Sequence, residues 1–94
     1  MSQIIVTQRV AVELNKYLLE KIITILRKKD IANTDYLQIF EIKEDQLINS
    51  QEVPEKVNTY KLMCKFKENI KVWAIENYDK EIGRCWTILF PEEY

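Results

Sequence analysis

KYLLEKIITILRKKDIANTDYLQIFEIK, residues 16–43, changes its period in the middle, and that change decides the fold. At 100° per residue, Leu18, Leu19, Ile22, Ile23, Ile25 and Leu26 fall within about 160° of a helical surface. Glu20, Lys21, Thr24, Arg27 and Lys28 fall outside that arc. A stripe this broad covers a sheet better than it fits a narrow coiled-coil seam. Asn15 can cap the helix with its side-chain oxygen, so a helix is expected over Lys16–Lys29. Arg27, Lys28 and Lys29 crowd the last turn, where cations complement the helix dipole. That reading is preferred to a phosphate-binding patch, because phosphate sites usually recruit more than one basic cluster. The acidic, turn-prone DIANTD then ends the helix.

From Asp35 the period becomes two. Tyr36, Gln38, Phe40 and Ile42 point one way, and Asp35, Leu37, Ile39 and Glu41 the other. Both sides are apolar in the middle, which suits a strand buried centrally on both faces. Asp35 and Glu41 read as its polar boundaries.

Working outward, IIVT at residues 4–7 reads as a strand that stays extended as far as Val12. After a turn at EDQ, QLINSQEVPE extends again, with Pro54 at an edge or end because it lacks an N–H. VNTYKLMCKF offers Tyr60, Leu62, Cys64 and Phe66 to the core. KENIK and NYDKEIG read as turns around KVWAIE. In RCWTILF, Trp86, Ile88 and Phe90 share one side, and Cys85, Thr87 and Leu89 the other. The order is β-α-β-β-β-β-β. The expected class is α+β: a single mostly antiparallel sheet with one long amphipathic helix packed on one face. The first crossover leaves a parallel pair open. Leu18, Ile22 and Ile25 are expected to form one core with Phe40, Trp73 and Ile88.

Ninety-four residues fill one compact domain, 1–94. Gly83 is the sole glycine, and Pro54 and Pro91 are the two prolines, which excludes a flexible Gly/Ser linker. Residues 1–47 carry seven charges of each sign, and residues 48–94 seven basic and eight acidic. Neither half is a basic nucleic-acid arm or an acidic DNA mimic. MSQIIVTQRV lacks the pattern of a secretion signal, and no apolar run approaches the ~20 residues of a membrane span. A cytoplasmic protein without a membrane partner is expected. Cys64 and Cys85 are then free thiols, read as small core residues.

The chain contains no histidine, which removes the commonest proton shuttle and any His-based metal site or triad. No phosphate-cradling glycine loop is present. No catalytic residue, cofactor or metal is expected. Asp35, Glu41, Glu52 and Glu55 are the candidates if the protein is instead a small carboxylate-based hydrolase.

DYLQIFEI, QEVPE and PEEY, taken in order, resemble a family of small uncharacterised proteins from Firmicutes and their mobile elements, the domain of unknown function nine hundred and sixty. The resemblance spans nearly the whole chain. It starts at Val6, Thr7 and Val10, runs through Asp35 to Ile42 and then Gln51, Glu52 and Pro54, and closes on KVWAIE and EEY. Gln8-Arg9 stands where the family has a glycine, and the histidine often found before the QExP segment is absent. The resemblance implies no enzyme activity.

The expected function is a small non-enzymatic protein-interaction or regulatory module. Gln51, Glu52 and Pro54 would present an extended edge, and Glu93 and Tyr94 an acidic, aromatic tail. The partner is an unknown protein, with a homodimer through an edge or an exposed tryptophan as a second expectation. Nucleic acid is not the expected partner. A single-stranded nucleic-acid binder is the alternative, with Lys71, Trp73, Arg84, Trp86, Tyr60 and Tyr78 supplying charges and rings. Two outward tryptophans beside lysines would favour it, and two buried ones would not.

Overall fold

The computed structural model describes residues 3–94, the Ile31 side chain excepted. Asn15 caps the main helix as its sequence position suggests: its Oδ1 accepts the N–H groups of Tyr17 (2.8 Å) and Leu18 (3.4 Å). The helix, α2, runs Lys16–Arg27. Leu18, Ile22, Ile25 and Leu26 are buried, with Leu19 and Ile23 packed beside them. A shorter helix, α1 (Gln8–Glu13), precedes it where the sequence reads as extended. Thr7 ends β1 (Gln3–Val6) and caps α1, its Oγ1 accepting the Val10 N–H at 3.3 Å. Val10 and Leu14, one helical turn apart, are buried in the core. Tertiary burial of that pair overrides the weak β preference of Val10 and Val12.

The sheet has four strands, in the order β1-β4-β3-β2. β2 (Leu37–Gln51) pairs antiparallel with β3 (Lys56–Asp79), and β3 with β4 (Gly83–Leu89). β1 joins the far edge parallel to β4, pairing Gln3 with Cys85 and Val6 with Ile88. The fold is therefore α+β, with one mostly antiparallel sheet and the helical segment packed alongside it.

Two expected turns are absent as chain reversals, so among the described residues the strands number four and not six. EDQ lies inside β2, and KENIK inside β3. Between the pairs Ile42↔Ile70 and Gln46↔Lys61, β2 advances four residues while β3 advances nine. The surplus forms an irregular bulge of two register shifts, one on each side of the pair Glu44↔Phe66, and Glu44 takes a left-handed φ of 52° there. Turn-prone residues are absorbed while the same two strands stay paired.

The bulge bends the whole ribbon. Thirteen residues of straight strand would hold Gln38 and Gln51 about 43 Å apart. Instead Gln38 Nε2 donates to Gln51 Oε1 at 2.8 Å. Beyond Glu44, the β2–β3 arm thus folds back over the helix side of the sheet. The Met63 N–H donates to Tyr17 Oη at 2.9 Å, fastening this arm to α2.

The core between helix and sheet contains Phe40, Ile42, Leu47, Leu62, Val72, Ala74, Trp86, Ile88 and Phe90. Trp73 does not join it, contrary to expectation. Val72 and Ala74 hold the inward positions of β3, so alternation sends Trp73 to the other face, and Trp86 supplies the core indole. Cys85 is buried and Cys64 exposed, both as free thiols.

Candidate functional site

The residues proposed for binding fall in two places. Gln51 is 5% exposed. Its Oε1 accepts from Gln38 Nε2 and from the Asp35 N–H, and its Nε2 donates to the carbonyls of Asn33 (3.0 Å) and Pro54 (2.8 Å). The Asp35 carboxylate accepts the N–H groups of Tyr36 (2.8 Å) and Val53 (3.2 Å). These bonds tie the β2–β3 turn to the start of β2. Glu52 and Pro54 lie exposed in that turn.

At the other place, Glu93 Oε2 accepts from Thr7 Oγ1 (3.0 Å) and the Phe90 N–H (2.7 Å). This fixes the C-terminal 3₁₀ turn, Pro91–Glu93, to the junction of β1 and α1. Tyr94 is 81% exposed, and its ring meets Trp73 edge-on at 5.9 Å.

Tyr94 and Trp73 mark the sheet face turned away from the helices. One row across it reads Ile39, Trp73, Leu89. The next reads Leu37, Ile75, Thr87, Ile5. None of these side chains joins the helix-side core. Leu89 is buried, and Ile5 is 43% exposed at the edge. The first charged row, Glu41 opposite Lys71, comes at the boundary.

A third feature was not legible as a site. Where α2 ends, a groove of about 620 Å³ opens between the helix and the folded-back arm. Lys21, Lys28 and Lys29 line one wall; Lys56, Asn58, Tyr60 and Lys61 line the other. The half-buried Lys29 Nζ donates to Asn49 Oδ1. Asn49 Nδ2 in turn donates to Gln38 Oε1 (3.2 Å) and the Ile39 carbonyl (3.3 Å). Burial, and next the nearby Lys56 charge, lower the Lys29 pKa below its usual value. Among the described residues, Lys21, Lys28, Lys29 and Lys56 form no ion pair. The basic triplet was visible in sequence. Its second cluster, Lys56 and Lys61, reaches it only because the ribbon bends.

A second cavity, about 750 Å³, flanks the other side of the helix end. Its floor includes Trp86 and its rim Arg84, which is held by Glu76 at 2.9 Å.

The four carboxylates considered for hydrolysis have separate surroundings. Asp35 serves the backbone as above, Glu41 meets Lys43 at 3.7 Å, and Glu52 and Glu55 are exposed in the turn. Among the described residues, no group of three or more His, Cys, Asp or Glu side chains gathers as a metal site. No helix there is long and apolar enough to cross a membrane. Comparison with known proteins finds no match: no family model fits the chain, and no curated protein or solved structure is detectably similar to it.

Proposed function

We propose that this chain is a small non-enzymatic protein-interaction module whose contact surface is the helix-free face of the sheet, and that its partner there is a second copy of itself. The supporting observation is Trp73, central on a face of Ile39, Ile75, Leu37 and Leu89, with Tyr94 against its edge. Soluble monomers seldom leave an apolar patch of more than a few hundred Å² uncovered. Four strands and the seven residues of β4 span roughly 19 by 23 Å, or about 440 Å² in projection. That is smaller than the ~800 Å² per partner of a standard interface, before side-chain relief is counted. The pair is therefore weak, with the two sheets stacked about 10 Å apart. An aromatic centre inside an apolar ring has the anatomy of an interface hot spot.

A cytoplasmic setting belongs to the same proposal, because free thiols suit a reducing compartment. Kinship with the uncharacterised Firmicutes family is likewise proposed, on the ordered motifs alone. Sedimentation velocity over a concentration series tests the self-pairing. The expected mass rises above 11.3 kDa with concentration. Trp73→Glu should hold the protein at the monomer mass throughout. A wild-type protein that stays at the monomer mass up to high micromolar concentration overturns the reading.

A further inference from the structure

The lysine groove is not explained by the interaction face. Nor does the fold alone require it. Cations at a helix C-terminus complement the dipole, which accounts for Lys28 and Lys29. It does not account for Lys56 and Lys61, which a strand carries to the opposite wall. Neutralisation is slight. Lys61 reaches Asp45 only at 3.8 Å from an exposed position. Asp30, the one carboxylate of the lining, is engaged by the Ala32 N–H and by Asn33 Nδ2. Lys29 is directed at a neutral amide, with Lys56 close enough to disfavour its charge. Gathering like charges without counter-ions works against the compact state. An anionic ligand would reverse that.

The geometry points to this groove as a binding site for the sugar–phosphate backbone of a single-stranded nucleic acid, with Lys28, Lys29, Lys56 and Lys61 on successive phosphates and one base stacked on Tyr60. Spacing favours a chain over a single phosphate. Lys21 and Lys28 are about 10 Å apart along the helix; Lys56 and Lys61 are about 16 Å apart along the strand, Lys61 in the alternate row beside Gln46. Charges spread in rows track a polyanion, whereas a single phosphate calls for charges that converge. The choice of cation favours phosphate over the carboxylates of an acidic peptide. Among the described residues no arginine lines the groove, although Arg is the residue suited to bidentate carboxylate recognition, while Lys serves phosphate as a point charge. Tyr60 is 38% exposed beside the lysines, as a stacking platform must be. The groove lies on the helix side and the interaction face on the other, so binding does not depend on self-pairing.

Fluorescence anisotropy with a labelled oligouridylate of about twelve nucleotides, long enough for one site, tests the assignment. Wild type should bind at about 50 mM salt. With about four phosphates engaged, affinity should fall roughly fiftyfold by 200 mM. Lys56→Glu with Lys61→Glu should weaken binding at least about tenfold, and Tyr60→Ala about fivefold or more. Lys80→Glu, in the β3–β4 turn and not part of the groove lining, should change little. Circular dichroism checks the folds. If the double Glu variant is misfolded, Lys56→Gln with Lys61→Gln replaces it and should flatten the salt dependence. Three results each overturn the proposal: no binding at the lower salt, equal losses from Lys80→Glu and the groove variants, or equally tight binding of polyglutamate. Full displacement by ATP at concentrations matching the oligonucleotide would also overturn it, showing a mononucleotide site. Repeating the titration with Trp73→Glu separates this outcome from that of self-pairing.

Discussion

Lys29 shows how one residue is placed by opposing terms. Its ammonium donates to Asn49, the first member of the polar chain Asn49–Gln38–Gln51. Burial and the Lys56 charge both lower its pKa. A lysine whose folded pKa lies below its unfolded value binds fewer protons when folded. Stability therefore rises with pH through the window that ends at the ordinary lysine value of about 10.5. At neutral pH the charged form carries a penalty, part of it from Lys56. Lys56→Gln should stabilise the protein slightly at pH 7, by less than about 1 kcal/mol because both side chains meet solvent. The gain should shrink as pH approaches the unfolded lysine pKa. Urea midpoints for wild type and variant across that range are the measurement, and a gain that grows with pH would contradict the argument. Gln51 is placed by hydrogen bonds rather than by charge. The QEVPE motif identified it as a surface contact, yet all its amide capacity is used internally. Period-two alternation puts Leu47, Asn49 and Gln51 on one side of QLINSQ, but nothing local says that this side is covered.

The bulge in β2–β3 is the element that shapes the molecule. Glu44 sits there with φ 52°, a region costing an ordinary L-residue roughly 1 kcal/mol relative to glycine. Glu44→Gly should raise stability by about 0.5–1 kcal/mol, and Glu44→Val should lower it by 1–2 kcal/mol or so. Thermal melts of the two variants would show opposite shifts from wild type, whereas a loss in both would mean the Glu44 side chain itself matters. EDQ was legible as a place where the chain changes direction. Local turn chemistry could not say that both strands would turn together. The helix was more transparent. Asn15, the apolar stripe and the basic last turn are signals within one or two turns of each other, and α2 ends within two residues of expectation. Six-residue α1 had no comparable signal, because two buried side chains hold it rather than its own propensity.

Across the whole molecule, the sheet has one face inside the domain and one turned outward, and substitutions should separate them. Ile22→Asp places an uncompensated charge among Phe40, Val72 and Ile88, where the lost apolar burial alone is worth about 1.5–3 kcal/mol. It should unfold most of the protein at room temperature. Trp73→Glu on the outer face should leave the denaturant midpoint of the monomer within about 1 kcal/mol of wild type. Equal losses from the two would mean that the outer face is packed against something within the chain. The α+β class, the main helix with its cap and inward stripe, and the two sides of the last strand were determined by the sequence itself. Periodicity and capping are properties of neighbours along the chain, and burial acts on them in register. The choice of Trp86 over Trp73 for the core, the parallel pairing of β1 with β4, and the meeting of Lys56 and Lys61 with the helix lysines were decided only by tertiary structure. Each depends on which strand lies beside which and on a bend distributed over two strands, and contacts between residues far apart in sequence leave no local pattern to read.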